Sequence, residues 1–360
     1  MGAHLPMPAI YVPRESKLSK GRDCQGEYFP EVDSIKGVCI MVVVLIHSLP
    51  NLFFTDQISA VDRWLFKITR FAVPGFLACS GYISASSSRN RECRAIRHRL
   101  RRVLLPYFVF FVAAQSLDGW QPSPFGEPPL LSSATNTASA RFFGSNPGIY
   151  YYVFVIATLI VVTPLIARIP DSCFPVVAIA AVTTHILVEA RLICRLPFFW
   201  QARNPLRSLG PFLLGWLVFS RRAHVVEALL GTHRCIYLAL LSALVSFGAV
   251  GLVKTSASTC FGKFLETSTT YWTLAWLYAI CIPRRTTPAA LSWLSGASYP
   301  IYLSHYLFLA HVPTMYPETP SAFNPARIVV LWATGLGNSA LLVVIGRHLL
   351  GKAWARTLLG

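Results

Sequence analysis

The sequence predicts an all-α fold, a polytopic integral membrane protein with about ten transmembrane helices in one bundle. Three observations carry this. Of 360 residues, 54% are hydrophobic and only 13% charged, against about 25% charged in an ordinary soluble domain, and the mean hydropathy is +0.51. The apolar residues come in blocks of roughly 16–22, enough to cross a hydrocarbon core of about 30 Å at 1.5 Å per residue. Basic residues collect in alternate gaps between the blocks. The formal net charge of +17 therefore reads as orientation by cytoplasmic Lys and Arg rather than as a nucleic-acid footprint. Membrane lipid is the expected surrounding partner, and no nucleic acid is expected.

Residues 1–30 lack the apolar core of a signal peptide and read as a polar cytoplasmic tail. The first span, 36–54, opens KGVCIMVVVLIHS. Lys36 and His47 are eleven residues apart, which at 100° per residue is three turns and about 20°. Both therefore lie on one helix face, roughly 16 Å apart along the axis. An ionisable group within a span faces the bundle interior, where it either marks a site or simply bonds a neighbouring helix. Asp33 precedes the first apolar turn, placed to cap the helix or to orient Lys36.

The second span, 64–84, contains RFAVPGFLACSGYIS. Pro74, Gly75 and the pair Ser80 and Gly81 interrupt it, either to kink a cavity-lining helix or to let helices pack closely. The third, 103–118, is entered through RHRLRRVLLPY. Arg99 and Arg102 share a face there. They orient the span, and cations at a membrane face also grip phosphate. Residues 118–146, rich in Pro, Ser and Thr, read as an exposed loop.

Further spans are expected at 148–168, 173–190, 206–220, 234–253 and 268–283. With the N-terminus inside, roughly twenty-one Lys and Arg fall in cytoplasmic gaps and about ten outside. Arg191, Arg195, Arg203 and Arg207 run against that trend, so either a boundary is misplaced there or they bind something, such as an anionic glycan. The ninth span, 290–311, holds GASYPIYLSHYLFLAH, with His305 deep and His311 at its outer end. The tenth, 326–347, leads to a short cytoplasmic tail, 348–360. Nine cysteines occur singly, without a CxxC pair, so neither a disulfide framework nor a zinc site is expected. No internal repeat is visible.

In order, these pieces resemble the acyltransferase-3 family of membrane-bound acyltransferases, which modify bacterial surface sugars and related molecules. The residues that carry the resemblance are VDSIKGVCIMVVVLIHS, with Asp33, Lys36 and His47, then PGFLACSGYIS, RHRLRRVLLPY and SYPIYLSH. The stretch NPGIYYYVFVIATLIVVTPL is similar to the family's Trp-Phe-Leu helix, with Tyr in place of the usual Trp. Together they cover residues 31–347, the expected transmembrane domain. Lys36 stands where arginine is more usual, which keeps the charge and loses bidentate geometry. The periplasmic esterase-like domain carried by some relatives is not expected after the last span.

The resemblance implies transfer of an acetyl group from acetyl-CoA to a glycan hydroxyl, with no bound cofactor or metal. Succinyl-CoA is the alternative donor. The implied acceptor is a polysaccharide or lipid-linked oligosaccharide, such as an exopolysaccharide repeat unit. The implied location is the bacterial cytoplasmic (inner) membrane, with both termini inside. His47 is the implied base, since imidazole titrates near 6.5 and is available neutral. Lys36, Arg99 and Arg102 would take the donor phosphates, and Asp33, Ser80, Gly81 and His305 would support the site. Tyr150, Tyr151, Tyr152, Trp120 and Trp200 are either an interfacial belt or a stacking surface for sugar. A transporter or flippase of a lipid-linked glycan is the competing class. It calls for inverted repeats with matched broken helices, which the sequence does not show.

Overall fold

The computed structural model describes residues 29–49, 59–87, 93–116, 151–190, 205–222, 260–282, 286–309 and 323–351, with a few isolated positions besides. The expected span 234–253 lies outside this set apart from single positions, as do residues 1–28, the loop 118–146, Tyr150, Trp200 and His311. Arg191, Arg195 and Arg203 also lie outside it.

Among the described residues every regular element is an α-helix. In chain order they are α1 (Pro30–Ser48), α2 (Ala60–Thr69), α3 (Ala72–Ser86), α4 (Cys93–Ser116) and α5 (Tyr151–Ile166). There follow α6 (Phe174–Glu189), α7 (Pro205–Ser220), α8 (Cys260–Cys281), α9 (Ala289–Leu309) and α10 (Pro325–Leu349).

Local chemistry sets several boundaries differently from the hydropathy blocks. α1 starts at Pro30, not at residue 36, with proline in the first turn where its missing N–H is harmless. Glu31 and Asp33 sit in that turn and complement the helix dipole, so Asp33 is not the cap; Phe29 holds that position. The helix ends at Ser48 because Leu49 precedes Pro50 and takes an extended conformation, φ −75° and ψ 151°. His47 therefore lies in the last turn of its helix rather than mid-span.

The expected second span is two helices. The break falls at Arg70 and Phe71, not at the Ser80–Gly81 pair. Pro74 explains it, because a proline ring collides with the carbonyl four residues earlier, which here belongs to Arg70. α3 restarts with Pro74 in its first turn, and the Gly75 amide donates to the Phe71 carbonyl at 2.7 Å. α2 is capped by Ser59, whose hydroxyl accepts from the Asp62 amide at 3.0 Å and donates to its carboxylate at 2.6 Å.

Among the described residues one helix is long and apolar enough to cross a membrane by length and composition: α10, 25 residues, with an 18-residue stretch of mean hydropathy 2.1. α5 and α6 are apolar but have 16 residues each, about 24 Å at the usual rise. Both are greasy all round. On α6, Phe174, Ala178 and Ala181 point inward, while Val176 and Ile179 are 69% and 63% exposed. α5 turns Val161 and Leu165 outward, and α10 turns Val329, Leu341 and Ile345 outward. Such faces are rare on soluble domains at this extent.

α1 lies at the centre, against α3, α8, α9 and α10. It runs in the same direction as α9. Thr287, just before α9, meets Pro30 and Ser34 at one end, and His305 meets His47 at the other. The Trp332 indole donates to the Met41 carbonyl at 2.9 Å and fixes α10 on α1. α3 and α7 cross closely through reciprocal glycines: a Cβ on Gly81 would strike the Phe212 carbonyl, and one on Gly215 the Ala78 carbonyl.

Gly81→Val should therefore lower stability by about 1–3 kcal/mol through overpacking. Gly337→Ala, at a position with open space around it, should leave the melting temperature unchanged or slightly raised. Thermal unfolding of the detergent-purified protein reads both.

Candidate active site

The site is built along one face of α1. At its N-terminal end the Ser295 hydroxyl on α9 donates to the Asp33 carboxylate at 2.7 Å. The Ser34 hydroxyl donates to Thr287 at 3.3 Å, and the Thr287 hydroxyl donates to the Pro30 carbonyl at 2.6 Å. Gly37 makes the contact possible, because a Cβ there would sit 2.6 Å from the Leu291 carbonyl. Lys36 is half-buried, with Asp33, Cys79 and Arg102 in electrostatic reach. Arg102 is exposed and Arg99 half-buried, both on α4. The Tyr299 hydroxyl of α9 ties that helix in by donating to the Val103 carbonyl at 2.6 Å. Asp33, Lys36 and Arg102 thus gather at one end of the bundle, while Asp33 is bonded to Ser295 rather than to Lys36.

At the other end of α1, the His47 and His305 ring centres are 5.2 Å apart, and His47 also meets the Tyr306 ring edge-on at 6.3 Å. His47 is half-buried; His305 is fully buried. His305 Nδ1 lies 2.8 Å from the Tyr302 carbonyl and 3.1 Å from the Ile301 carbonyl. Carbonyls only accept, so Nδ1 carries the hydrogen and Nε2 bears a lone pair. Nε2 has no hydrogen-bond partner among the described residues. Tyr302 is 6.0 Å from His305 and 5.4 Å from Tyr152 between ring centres, extending an aromatic lining along α9. The Ser80 side chain lies beside Tyr152, and its hydroxyl donates to the Phe76 carbonyl of its own helix at 2.8 Å. Gly81 is packed on α7, away from this lining.

Two polar clusters escape a reading by motif. Glu31, fully buried, accepts from the Tyr82 hydroxyl at 2.6 Å and from Arg222 at 3.0 Å, while its other oxygen has no partner among the described residues. At the opposite end of the bundle Arg70 pairs with Glu266 and, at 3.7 Å, with Glu189. Arg207 also pairs with Glu189, Lys263 lies 3.3 Å from Glu266, and His185 bonds the Tyr271 hydroxyl at 2.5 Å. Arg207 is thus neutralised inside the protein. A signal existed: the chain has only fifteen acidic residues, and Glu31, Glu189 and Glu266 each flank an apolar block. Among the described residues no group of three or more His, Cys, Asp and Glu could hold a metal.

Residues 29–345 match the family model described as Acyltransferase domain, nearly the whole chain. The chain belongs to the acyltransferase-3 family. No curated protein and no solved structure matches it. The protein is an acyltransferase, and the acyltransferases of this family are generally membrane proteins.

Arg222→Ala should destabilise this acyltransferase by about 1–3 kcal/mol, because it strips a partner from a buried carboxylate. Adding Glu31→Gln should restore part of the loss by removing the stranded charge. Thermal unfolding of both variants reads the sign.

Proposed function

We propose that the protein is a ten-span membrane O-acyltransferase that moves an acetyl group from acetyl-CoA to a glycan hydroxyl. The observation that carries this reading is the arrangement on α1: a cation with Arg102 beside it at one end, and a half-buried imidazole at the other. The donor has the matching layout, with phosphates and thioester held apart by a long arm. The outward apolar faces of α5, α6 and α10 support the membrane bundle.

In this reading Lys36, Arg99 and Arg102 hold the donor phosphates at the cytoplasmic mouth. Neutral His47 takes the proton from the acceptor hydroxyl while the oxygen attacks the thioester carbonyl. Collapse of the tetrahedral intermediate breaks the C–S bond, and the departing thiolate takes the proton back from His47. The products are the ester and free coenzyme A. Asp33 and Ser295 fix the first turn of α1 and with it the position of Lys36.

The acceptor in this reading is an exopolysaccharide unit or its lipid-linked precursor, in a bacterial inner membrane with both termini inside. Two features support an extracytoplasmic acceptor: His47 lies at the end of α1 opposite Lys36, and Tyr152 and Tyr302 offer ring faces nearby.

Membranes given radiolabelled acetyl-CoA or succinyl-CoA test the proposal. His47→Ala should lower turnover with the preferred donor by about 100-fold or more. Lys36→Ala should raise KM for the donor about tenfold, the loss of one charge-assisted contact, with kcat changed far less. Full activity of His47→Ala would remove this imidazole from the reaction.

A further inference from the structure

The geometry points to His305 as the positioning residue for His47: its unpartnered Nε2 is placed to receive, once the His47 ring turns toward it during the reaction, the N–H that His47 directs away from the substrate. The inference rests on the proposed base role of His47 and adds a group that acts through it.

Four observations support it. His305 is fully buried, whereas His47 is half-buried, so only His47 is open to an incoming hydroxyl. The two main-chain carbonyls of Ile301 and Tyr302 occupy Nδ1 of His305 and leave Nε2 with a lone pair. That atom has no partner among the described residues, an arrangement that is unfavourable for a buried polar group unless it has a use.

The fourth observation is the separation of the rings, 5.2 Å between centres. An imidazole nitrogen lies roughly 1.2 Å from its ring centre, so one collinear N–H···N bond of about 2.9 Å between two rings would give a separation of about 5.3 Å. The rings are in contact but not bonded as they stand, since Nε2 has no partner among the described residues; a turn of the half-buried His47 ring at this separation brings one of its N–H groups to Nε2. An N–H of His47 held by Nε2 leaves the other His47 nitrogen as the free base. When that nitrogen takes the hydroxyl proton, His47 becomes an imidazolium whose second N–H is already met by an acceptor in a water-poor place. The proton then leaves with the coenzyme thiolate, and His305 ends unchanged. An orienting acceptor behind a catalytic histidine is a recurring device in acyl transfer, where a carboxylate commonly fills the place. Here a second imidazole fills it, without adding a negative charge to the interior.

Two substitutions separate this role from packing. The side-chain amide of His305→Asn reaches the Nδ1 position and can keep the bond to the helix carbonyls, but it offers nothing where Nε2 stood. His305→Gln carries an acceptor to that place. Each purified variant is assayed for acetyl transfer with saturating donor, beside thermal unfolding and His47→Ala. The expected result is a kcat loss of about 100-fold for His305→Asn, the scale of removing one aligned hydrogen-bonding group. KM for the donor should be unchanged, and His305→Gln should recover at least tenfold. Wild-type kcat in His305→Asn, or equal losses in the two variants at similar melting temperatures, would overturn the inference and leave the base role of His47 intact. Full activity of His47→Ala would instead overturn the reading beneath it.

Discussion

The seam between α1 and α9 is the constraint on which the rest of the molecule depends. It is held by Ser295 on Asp33 at one end and by the imidazole pair at the other, with Gly37 letting the backbones close between them. Because the two helices run in the same direction, a single contact surface sets both the height of Lys36 and the neighbour that the His47 ring meets. Neither group would be placed by α1 alone. A helix in isolation fixes the angle and the rise between two residues, but not which neighbour each one meets.

The other packing follows from keeping that seam in the middle. α3 backs α1 and is itself backed by α7 through the Gly81 and Gly215 crossing, while α10 is fastened by Trp332. Polar bonding is concentrated in two groups at opposite ends of the bundle, Glu31 with Tyr82 and Arg222, and Arg70 with Glu189, Arg207, Lys263 and Glu266. The ends of α2, α6, α7 and α8 that meet in the second group are those an alternating up-and-down order puts on one side. Much of the length between them is apolar on both its inner and outer faces. An interior with few polar partners makes each unsatisfied nitrogen or oxygen expensive, which is why the bare Nε2 of His305 carries weight.

Legibility varied with the physics behind each feature. Helix existence followed from hydropathy, so most of the blocks have a helix in place. Helix ends did not, because they are set by individual residues: Pro30 and Pro50 bound α1 more tightly at one end and more loosely at the other than its apolar run suggests, and Pro74 splits the second block at Arg70. The shared face of Lys36 and His47 was readable because helical geometry is nearly invariant. The nearness of His305 and Arg102 to that face was suggested only by the family resemblance, since contact between residues far apart in the chain has no local signature. The pairing of Arg207 with Glu189 has no motif to mark it, only the placement of a scarce acidic residue beside an apolar block. Ser80 and Gly81 belong to one short motif yet do different things, the first beside Tyr152 and the second at a helix crossing.

The central claim is that the acyl donor lies along α1, phosphates at Lys36 and thioester at His47. Photolabelling tests it most directly, with a coenzyme A thioester that carries a photoreactive acyl chain and peptide mapping of the adducts. The acyl label is predicted within residues 40–48 and 301–306, and excess acetyl-CoA should suppress it. A competable label on the opposite-end cluster of Arg70, Glu189 and Glu266, with none on α1 or α9, would contradict the account.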